Sequence, residues 1–345
     1  MMKDNVSDKR SQNNTAAVIA LYNGEHFIER ALKSVLSQTQ RPNEVLVVDD
    51  GSTDKGVSVA ESLSNHFPLR ILRKPNGGQS SARNLGVAKS SSSLIAFLDQ
   101  DDLWYPEHIA ELSKPFADQD TLAWSYSNLD HGDLHGQLKT ANFLNSRPGP
   151  HPKTSIRECL ARDMFILPSA SLVARWAFDA VGGFDERLSG YEDDDLFLRM
   201  FAAGFEHAYV DRPLSMWCIH STSATSLPSM SRSRMIYANK LLERFGSVEA
   251  DSGTLASVAI VPRFTVSLLG EYVRAVQSRD DARVAQTLEE LQRLVLPYAS
   301  ARKRWAVKTA VLFMSFRWFG RLVTFPQALL LVRRVMGLPL PKDHQ

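Results

Sequence analysis

Short apolar runs recur through the first hundred residues of this chain, and two of them end in acidic residues. The predicted strands of this region are residues 16–21, 44–48, 69–72 and 94–98. Segments of helical periodicity separate them, and strand–helix–strand units of this length need the crossover connections that are typical of a mainly parallel sheet. Asp49 and Asp50 follow the second strand directly, and Asp99 follows the fourth. The pattern predicts an α/β fold with a ligand site beyond the carboxyl ends of the strands, where these acids lie.

The 345 residues divide into three predicted segments. Residues 1–15 are polar and charged and are predicted to be disordered. Residues 16–228 carry the α/β pattern, interrupted by a Gly-, Pro- and Asn-rich stretch at 128–153 that predicts a long loop or an irregular insertion. From residue 229 to residue 345 the periodicity is helical, which predicts a separate C-terminal helical region.

The first fifteen residues have no apolar stretch typical of a signal peptide, and no run of about eighteen apolar residues predicts a spanning helix. Cys159 and Cys218, the two cysteines, lie far apart in the sequence and predict neither a metal site nor a disulfide framework. These features predict a cytoplasmic location.

Three carboxylates occur within four residues at Asp99, Asp101 and Asp102, directly after the fourth predicted strand. Their mutual repulsion is costly unless a cation or solvent neutralises it. Oxygen ligands of this kind suit a hard divalent cation, Mn²⁺ or Mg²⁺, that bridges carboxylates to phosphate. Taken alone, the cluster also fits a solvated turn.

Several segments in the same order resemble the family 2 glycosyltransferases. The four donor-side segments are residues 18–23 (VIALYN), 48–54 (VDDGSTD), 76–84 (NGGQSSARN) and 97–104 (FLDQDDLW). The acceptor-side segments are residues 182–186 (GGFDE) and 192–196 (EDDDL). The resemblance covers residues 16–222 and implies a GT-A type fold, in which helices flank a mainly parallel nucleotide-binding sheet. One departure is Ala20, at a position where the family often has proline.

The resemblance also implies residues that hold the donor nucleotide. These are Leu21, Tyr22, Asn23, Asp50, Arg83 and Asp99. A carboxylate such as Asp50 can accept from a uracil N–H, and Asp99 is expected to face the ribose or a metal-bound water. The alternatives are a strand-ending turn at residues 49–51 and a helix N-cap at Ser80 or Ser81.

The metal ligands implied by the resemblance are Asp101, Asp99 and His220, and the general base is Asp193 with Glu192 beside it. Asp193 would take the proton of an acceptor hydroxyl as that oxygen attacks the anomeric carbon, which gives inversion in one displacement. Glu192 is the alternative base. Acids in the first turn of a helix also stabilise its N-terminus, which is the structural alternative for this segment.

Asp195, close to the predicted base, and Asp102, next to the predicted metal ligands, have expected structural roles. Asp195 is predicted to orient the start of the helix that follows residue 191. Asp102 is predicted to cap a helix that begins near Pro106.

Basic and aromatic residues interleave near the C-terminus, and no acidic residue occurs between Glu290 and Asp343. The basic residues are Arg302, Lys303, Arg304, Lys308, Arg317, Arg321, Arg333 and Arg334, and the aromatic ones are Trp305, Phe313, Phe316, Trp318 and Phe319. This composition favours peripheral attachment to an anionic membrane at its cytoplasmic face, and the alternative is a helical subdomain with solvated arginines. No recognition module for nucleic acid accompanies the basic residues.

Together these features predict an inverting glycosyltransferase that uses a nucleoside diphosphate sugar, with UDP as the expected nucleotide. The expected acceptor is a glycan or a lipid-linked sugar in cell-surface polysaccharide assembly. The open alternatives are a non-catalytic nucleotide-sugar-binding scaffold and a nucleotidyltransferase. The latter usually has a basic, glycine-rich loop early in the chain, and none follows Leu21. A dinucleotide-dependent dehydrogenase is disfavoured because the first strand lacks the glycine fingerprint.

Overall fold

A computed structural model describes residues 14–64, 69–219, 229–316, 323, 326–335 and 338 of the chain. These residues form two compact units. The first comprises the described residues up to 154 together with 164–233, and the second comprises 155–163 and those from 234 onward. Residues 155–163, which lie inside the predicted range 16–228, therefore group with the second unit.

A sheet of nine strands lies at the centre of the first unit. Its strands are β1 Thr15–Leu21, β2 Glu44–Asp49, β3 Leu69–Arg73, β4 Leu94–Asp99, β5 Leu103–Trp104, β6 Leu122–Asp133, β7 Leu138–Thr140, β8 Ser171–Ala174 and β9 Glu206–Ile219. The order is β3-β2-β1-β4-β8-β6-β9-β5, and β7 pairs with β6. Strands β1 to β4 are parallel neighbours, whereas β8 is antiparallel to both β4 and β6. The predicted α/β class is confirmed, and the sheet beyond β4 is mixed.

The described helices alternate with these strands and then dominate the second unit. They are α1 Ile28–Leu36, α2 Gly56–Ser62, α3 Gln79–Lys89, α4 His108–Asp118, α5 Ile156–Ala161, α6 Arg175–Ala180, α7 Glu192–Ala202, α8 Ser229–Phe245, α9 Val261–Ser278, α10 Asp281–Val295, α11 Ala301–Ser315 and α12 Pro326–Val335. A two-stranded hairpin, β10 Glu249–Ala250 and β11 Gly253–Thr254, precedes α9.

The three central parallel strands are buried along nearly their whole length. Every residue of β1 except Ala20 is buried, as is every residue of β2 except Glu44 and of β4 except Asp99. Parallel strands with both faces covered have continuous rather than alternating apolar sequences, which explains the runs seen in the sequence. Because these strands are fixed by burial on both faces, the loops at their carboxyl ends are held at one edge of the sheet.

The stretch at 128–153 is not one long loop, contrary to the expectation from its composition. Strand β6 continues to Asp133, turns through Gly136 at φ +75°, and pairs with β7. The same part of β6 pairs with β9 on its other side. Backbone pairing at both edges holds polar residues in a strand, since the ladder does not depend on side-chain hydrophobicity.

The second unit has a buried core centred on α9. Phe264, Leu268 and Tyr272 are fully buried, and the Tyr272 hydroxyl donates to the Met314 carbonyl at 2.7 Å. Among the described residues, one segment, Ala256–Ser278, is long and apolar enough to cross a membrane by length and composition alone. More than half of it is buried within the protein, as is usual for the core helix of a helical unit.

Candidate active site

The turn after β1 is clamped by a side chain from the loop after β4. The Tyr22 N–H donates to Gln100 Oε1 at 2.9 Å, and Gln100 Nε2 donates to the Tyr22 carbonyl at 3.1 Å. Gly24 lies against the same amide, and a Cβ there would be 2.4 Å from Gln100 Oε1. A side chain at this position would push against the clamping amide, which glycine avoids. The Tyr22 side chain is 49% exposed, which leaves its ring accessible to a ligand.

Asn23 joins the loop after β1 to the loop after β2. Its side-chain oxygen accepts from the Thr53 N–H at 2.8 Å, and its own N–H donates to Ser52 Oγ at 3.1 Å. Asn23 has φ +47°, a left-handed conformation that asparagine tolerates better than most residues. The Leu21 side chain is buried, and its carbonyl accepts from the Asp50 N–H at 2.8 Å. The first two loops thus form one hydrogen-bonded rim.

Asp50 holds the glycine loop that precedes α3. Its carboxylate accepts from the Gly77 N–H at 2.9 Å, from the Gly78 N–H at 2.7 Å and from Lys74 Nζ at 2.6 Å. Asp50 is only 2% exposed. The carboxylate therefore positions this loop, a role that the strand-ending-turn alternative did not anticipate.

A buried arginine connects the end of β4 to the start of α7. Arg83 Nη1 donates to Glu192 Oε1 at 3.1 Å, and Nη2 donates to Asp99 Oδ1. Gln79 donates to the same Glu192 oxygen from the preceding turn of α3. Arg83 is 2% exposed, so these charges meet away from bulk water. The predicted donor-side acid and the predicted acceptor-side acid are therefore linked through one side chain.

Burial and charge act in opposite directions in this network. Burial lowers the pKa of Arg83, but the charges of Asp99 and Glu192 outweigh it and hold the guanidinium protonated. Burial raises the pKa of Glu192, and the Arg83 charge only partly offsets this. A glutamate that is buried and committed to Arg83 and Gln79 is poorly placed to collect a proton from an entering acceptor.

Asp102 does not cap a helix, in contrast to the prediction. It is 2% exposed, and its Oδ1 accepts from the Cys218 N–H of β9 at 2.9 Å. Helix α4 begins at His108, too far along the chain for Asp102 to be its N-cap. Burial, followed by the charges of Asp101 and Asp99, raises the pKa of Asp102 well above its ordinary value.

The four acids at the start of α7 have different surroundings. Asp194 is buried and accepts from the Met164 N–H at 2.8 Å. Asp195 is buried and accepts from Arg199 Nε at 2.8 Å. Glu192 is buried as described above, whereas Asp193 is half-buried. Asp193 is thus the acid of this turn that is most accessible to a ligand.

Arg199 extends the effect of Asp195 to the turn before α7. Its guanidinium donates to the Gly183 carbonyl at 2.6 Å and to the Val181 carbonyl at 2.5 Å. Asp195 therefore orients this turn through Arg199, which is a more specific role than the predicted one. Tyr191, immediately before the helix, has φ +64°, a strained backbone of the kind that clusters at functional sites.

The GGFDE segment is fixed to α3 by Asn84. Asn84 Nδ2 donates to the Phe184 carbonyl at 2.9 Å, and the Phe184 N–H donates to Asn84 Oδ1 at 2.9 Å. The Arg83 guanidinium lies 5.2 Å from the centroid of the Phe184 ring, within range of a cation–π contact. Ser80 does not cap α3, because its hydroxyl donates to the Leu188 carbonyl at 3.1 Å.

A divalent cation at this site would be shared between protein carboxylates and a bound nucleotide. In the described part of the chain, no group of three or more His, Cys, Asp or Glu residues forms a protein-only metal site. Asp99 has a side chain 33% exposed, and Asp101 is half-buried beside it. Nucleotide-bound Mg²⁺ typically uses only one or two carboxylates together with phosphate oxygens. Asp101 with Asp99 fits that donor set, and His220 lies outside the described residues.

Of the predicted site residues, Asn23, Asp50, Arg83, Asp99 and Glu192 have the specific polar contacts given above. Several residues of equal structural weight were not predicted: Lys74, Gln79, Asn84, Gln100 and Arg199. Four of them lie in or next to the segments that carry the family resemblance, so position in those segments was the available signal. Arg199 could have been suspected from its i,i+4 spacing to Asp195.

Comparison with known proteins identifies the type of fold. Two solved structures show the same fold at low sequence identity. The structure of S. aureus TarS 1–349 in complex with UDP-GlcNAc has a TM-score of 0.61 at 16% identity, covering 96% of this chain and 94% of that one. The mannosyltransferase PcManGT from Pyrobaculum calidifontis, in complex with GDP-Man and Mn²⁺, has a TM-score of 0.51 at 14% identity, covering 94% and 84%. The fold is therefore of the GT-A type, as predicted.

Residues 16–166 match the family model for Glycosyl transferase family 2. A chondroitin synthase from Pasteurella multocida (strain Pm70) is 31% identical over 230 residues, which is 66% of this chain and 23% of that protein. The chain thus spans about a quarter of that relative's length. Residues 16–166 therefore belong to a glycosyltransferase domain of family 2, and the predicted family is confirmed.

Proposed function

We propose that the chain is an inverting glycosyltransferase that moves a sugar from a nucleoside diphosphate sugar to a hydroxyl of a glycan or lipid-linked acceptor. The observation that carries the proposal is the contact of Arg83 with both Asp99 and Glu192. It joins the strand end expected to face the donor to the helix start expected to face the acceptor. A transferase needs both at one site, whereas a simple nucleotide binder needs only the first.

UDP is the proposed nucleotide. The rim formed by Tyr22, Asn23 and Asp50 offers an exposed ring and backbone polar groups at the carboxyl edge of parallel strands, where nucleotides bind in such sheets. Support also comes from the TarS structure with UDP-GlcNAc, although the PcManGT structure contains GDP-Man. The chondroitin synthase relative supports an acceptor that is a growing glycan, as in cell-surface polysaccharide assembly.

Asp193 is the proposed general base. Its carboxylate takes the proton of the acceptor hydroxyl, the hydroxyl oxygen forms a bond to the anomeric carbon, and the bond from that carbon to the diphosphate oxygen breaks. The nucleoside diphosphate leaves with the bonding electron pair. The half-buried position of Asp193 supports this role over Glu192, whose carboxylate is buried against Arg83.

Asp101 and Asp99 are the proposed ligands of Mn²⁺ or Mg²⁺, and His220 remains a predicted third contact outside the described residues. When bound, such a cation supplies positive charge that neutralises the departing diphosphate. Arg83 keeps Asp99 oriented, and Gln100 keeps the loop between the two acids attached to Tyr22.

The test is release of nucleoside diphosphate from UDP-GlcNAc, other UDP-sugars and GDP-Man, with Mn²⁺, Mg²⁺ or EDTA, while donor binding is measured calorimetrically in the same samples. Asp193→Asn should retain donor binding and lose about 10²–10⁴-fold in turnover. Asp179→Asn, the same change at an exposed acid, is the matched control and should have wild-type turnover. Asp101→Ala should lose the metal-dependent part of the reaction.

The two alternatives give different results in this experiment. A scaffold would bind a nucleotide sugar with no turnover in the wild type, even with acceptor glycans added. A nucleotidyltransferase would release pyrophosphate from a nucleoside triphosphate. Failure of every nucleotide sugar to bind, with and without metal, would refute the proposed function.

A further inference from the structure

Helix α11 exposes an apolar stripe on one face. Trp305 is 73% exposed, Leu312 is 60% exposed and Phe316, just after the helix, is 47% exposed. Their spacing of seven and then four residues places all three on the same side of a helix with 3.6 residues per turn. We name this surface, Trp305, Leu312 and Phe316, the α11 stripe.

The α11 stripe is not the surface that attaches the helix to its unit. Val307, Val311 and Met314 lie on the opposite side of α11 and are almost completely buried. The Met314 carbonyl also accepts from the buried Tyr272 hydroxyl of α9. This second face provides the packing of the helix within its unit. The exposed α11 stripe is not needed for that packing, and exposed apolar surface of this kind marks an interaction site.

Basic side chains flank the α11 stripe along one side. Arg304 and Lys308 are exposed, and with Arg293 of α10 they line an open groove of about 680 Å³. Arg304 is held in place, since its Nε donates to the Leu296 carbonyl at 3.0 Å. Glu289 also lines the groove and pairs with Arg293 at 2.5 Å, which leaves Arg304 and Lys308 to supply the excess positive charge.

We propose that α11 lies in the surface of an anionic phospholipid bilayer, with the α11 stripe among the acyl chains and Arg304 and Lys308 at the lipid phosphates. A Trp, Leu and Phe face bordered by cationic side chains is the composition of an interfacial helix. The sequence from residue 291 to residue 342 contains no acid that would repel such a surface.

A second copy of the chain is the other possible occupant, and charge disfavours it. A symmetric pairing through the α11 stripe would bring the same flanking bases of two copies together. Like charges across an interface cost free energy unless counter-charges separate them. A lipid surface provides those counter-charges, whereas the stripe itself does not.

The experiment is co-sedimentation of the full-length chain with vesicles of phosphatidylcholine alone or with one quarter phosphatidylglycerol, without any sugar nucleotide. Binding should require the anionic lipid. Neutralising Arg304 and Lys308 together to glutamine should weaken the partition coefficient about thirtyfold, at roughly fivefold for each base. Replacing Trp305, Leu312 and Phe316 by serine should weaken it at least about tenfold.

The matched control is Lys33→Gln with Lys114→Gln, which removes the same charge from exposed positions on the first unit. Its vesicle binding should equal that of the wild type, and circular dichroism should verify folding of all variants. Equal binding to neutral and anionic vesicles, or equal loss in the control, would overturn the proposal. Concentration-dependent dimerisation abolished by the serine variant, with no vesicle binding, would assign the stripe to a second copy instead. The outcome is independent of the proposed transferase activity, because no substrate is present.

Discussion

Arg83 and Glu192 form a buried ion pair between α3 and α7, with Nη1 and Oε1 3.1 Å apart. The other arm of the same guanidinium contacts Asp99 at the end of β4. A planar fork with several donors can hold two carboxylates in fixed positions, which a lysine ammonium does less well. The geometry of the two halves of the candidate site therefore depends on this arginine.

Replacing Arg83 should affect both stability and turnover. Arg83→Met leaves two carboxylates without their partner and should lower the free energy of unfolding by about 3–5 kcal/mol. Arg83→Lys keeps the charge but not the fork, and it should lower kcat about 100-fold because the two acids lose their alignment. Thermal denaturation and steady-state kinetics measure these effects.

Arg187 provides the comparison for Arg83. It pairs with Asp185 at 2.7 Å, but its side chain is 67% exposed. Exposed pairs contribute little, so Arg187→Met should change stability by less than about 1 kcal/mol. If Arg83→Lys retained wild-type kcat, Arg83 would be a purely structural residue.

The parallel half of the fold could be predicted because its signal is local. An apolar run with both faces buried and an acid at its end is visible in the sequence around Asp49 and Asp99 alike. The mixed half could not be predicted in the same way. Strand β6 contains His131 and Gly132, and it is held by pairing with β7 and β9, which are distant or polar segments with no comparable pattern.

The sequence predicted which residues form the candidate site, but it did not predict which hydrogen bonds they make. The resemblance indicated Asp50 and Glu192, but it could not show that Asp50 accepts from the Gly77 and Gly78 N–H groups. The separate prediction that Asp102 caps a helix was wrong, because that carboxylate accepts from the Cys218 N–H, 116 residues away. Such partners depend on tertiary structure and have no signature in the spacing.

Gln100 should matter for donor affinity more than for stability. Gln100→Ala removes both hydrogen bonds to the Tyr22 backbone and frees the turn that presents the Tyr22 ring. At about 1 kcal/mol for each hydrogen bond, the KM for the donor should rise roughly tenfold or more. Donor titrations of Gln100→Ala and of Gln137→Ala, an exposed glutamine in the β6–β7 turn, test this. A donor KM unchanged in Gln100→Ala would show that the clamp does not contribute to binding.

Two helical glycines offer a matched pair for packing. A Cβ at Gly86 of α3 would lie 2.4 Å from Val18 Cγ1 in the buried strand β1. Gly86→Ala should therefore destabilise the protein by about 1–3 kcal/mol through overpacking. At Gly270 of α9 the nearest atom to a new Cβ is Arg274 Nη1, 3.7 Å away, so Gly270→Ala should be neutral or stabilising by up to about 1 kcal/mol. Chemical denaturation measures both, and equal effects would contradict this description of α3 packing.

His108 should make the fold sensitive to acid. The ring is fully buried and stacked on Trp104 with centroids 4.5 Å apart, and Nδ1–H donates to the Leu214 carbonyl at 3.1 Å. Burial lowers the pKa of His108 from 6.5 to about 3. Between these two pKa values the unfolded chain binds a proton that the folded chain does not. The contribution of His108 to the free energy of unfolding therefore falls as pH is lowered from about 6.5 toward 3.

The expected slope is about 1.4 kcal/mol lost for each pH unit in the middle of that window, and none above pH 7. His108→Phe keeps an aromatic ring against Trp104 but cannot titrate. Urea unfolding of both proteins from pH 7.5 to pH 4.5 gives the free energy of unfolding as a function of pH. The difference between the two slopes isolates His108, because the other titrating groups are common to both proteins. The variant loses the hydrogen bond to Leu214 at every pH, so it should be less stable at pH 7.5 and lose that disadvantage as the solution is acidified. Parallel stability curves would mean that the folded His108 ring accepts a proton as readily as the unfolded one.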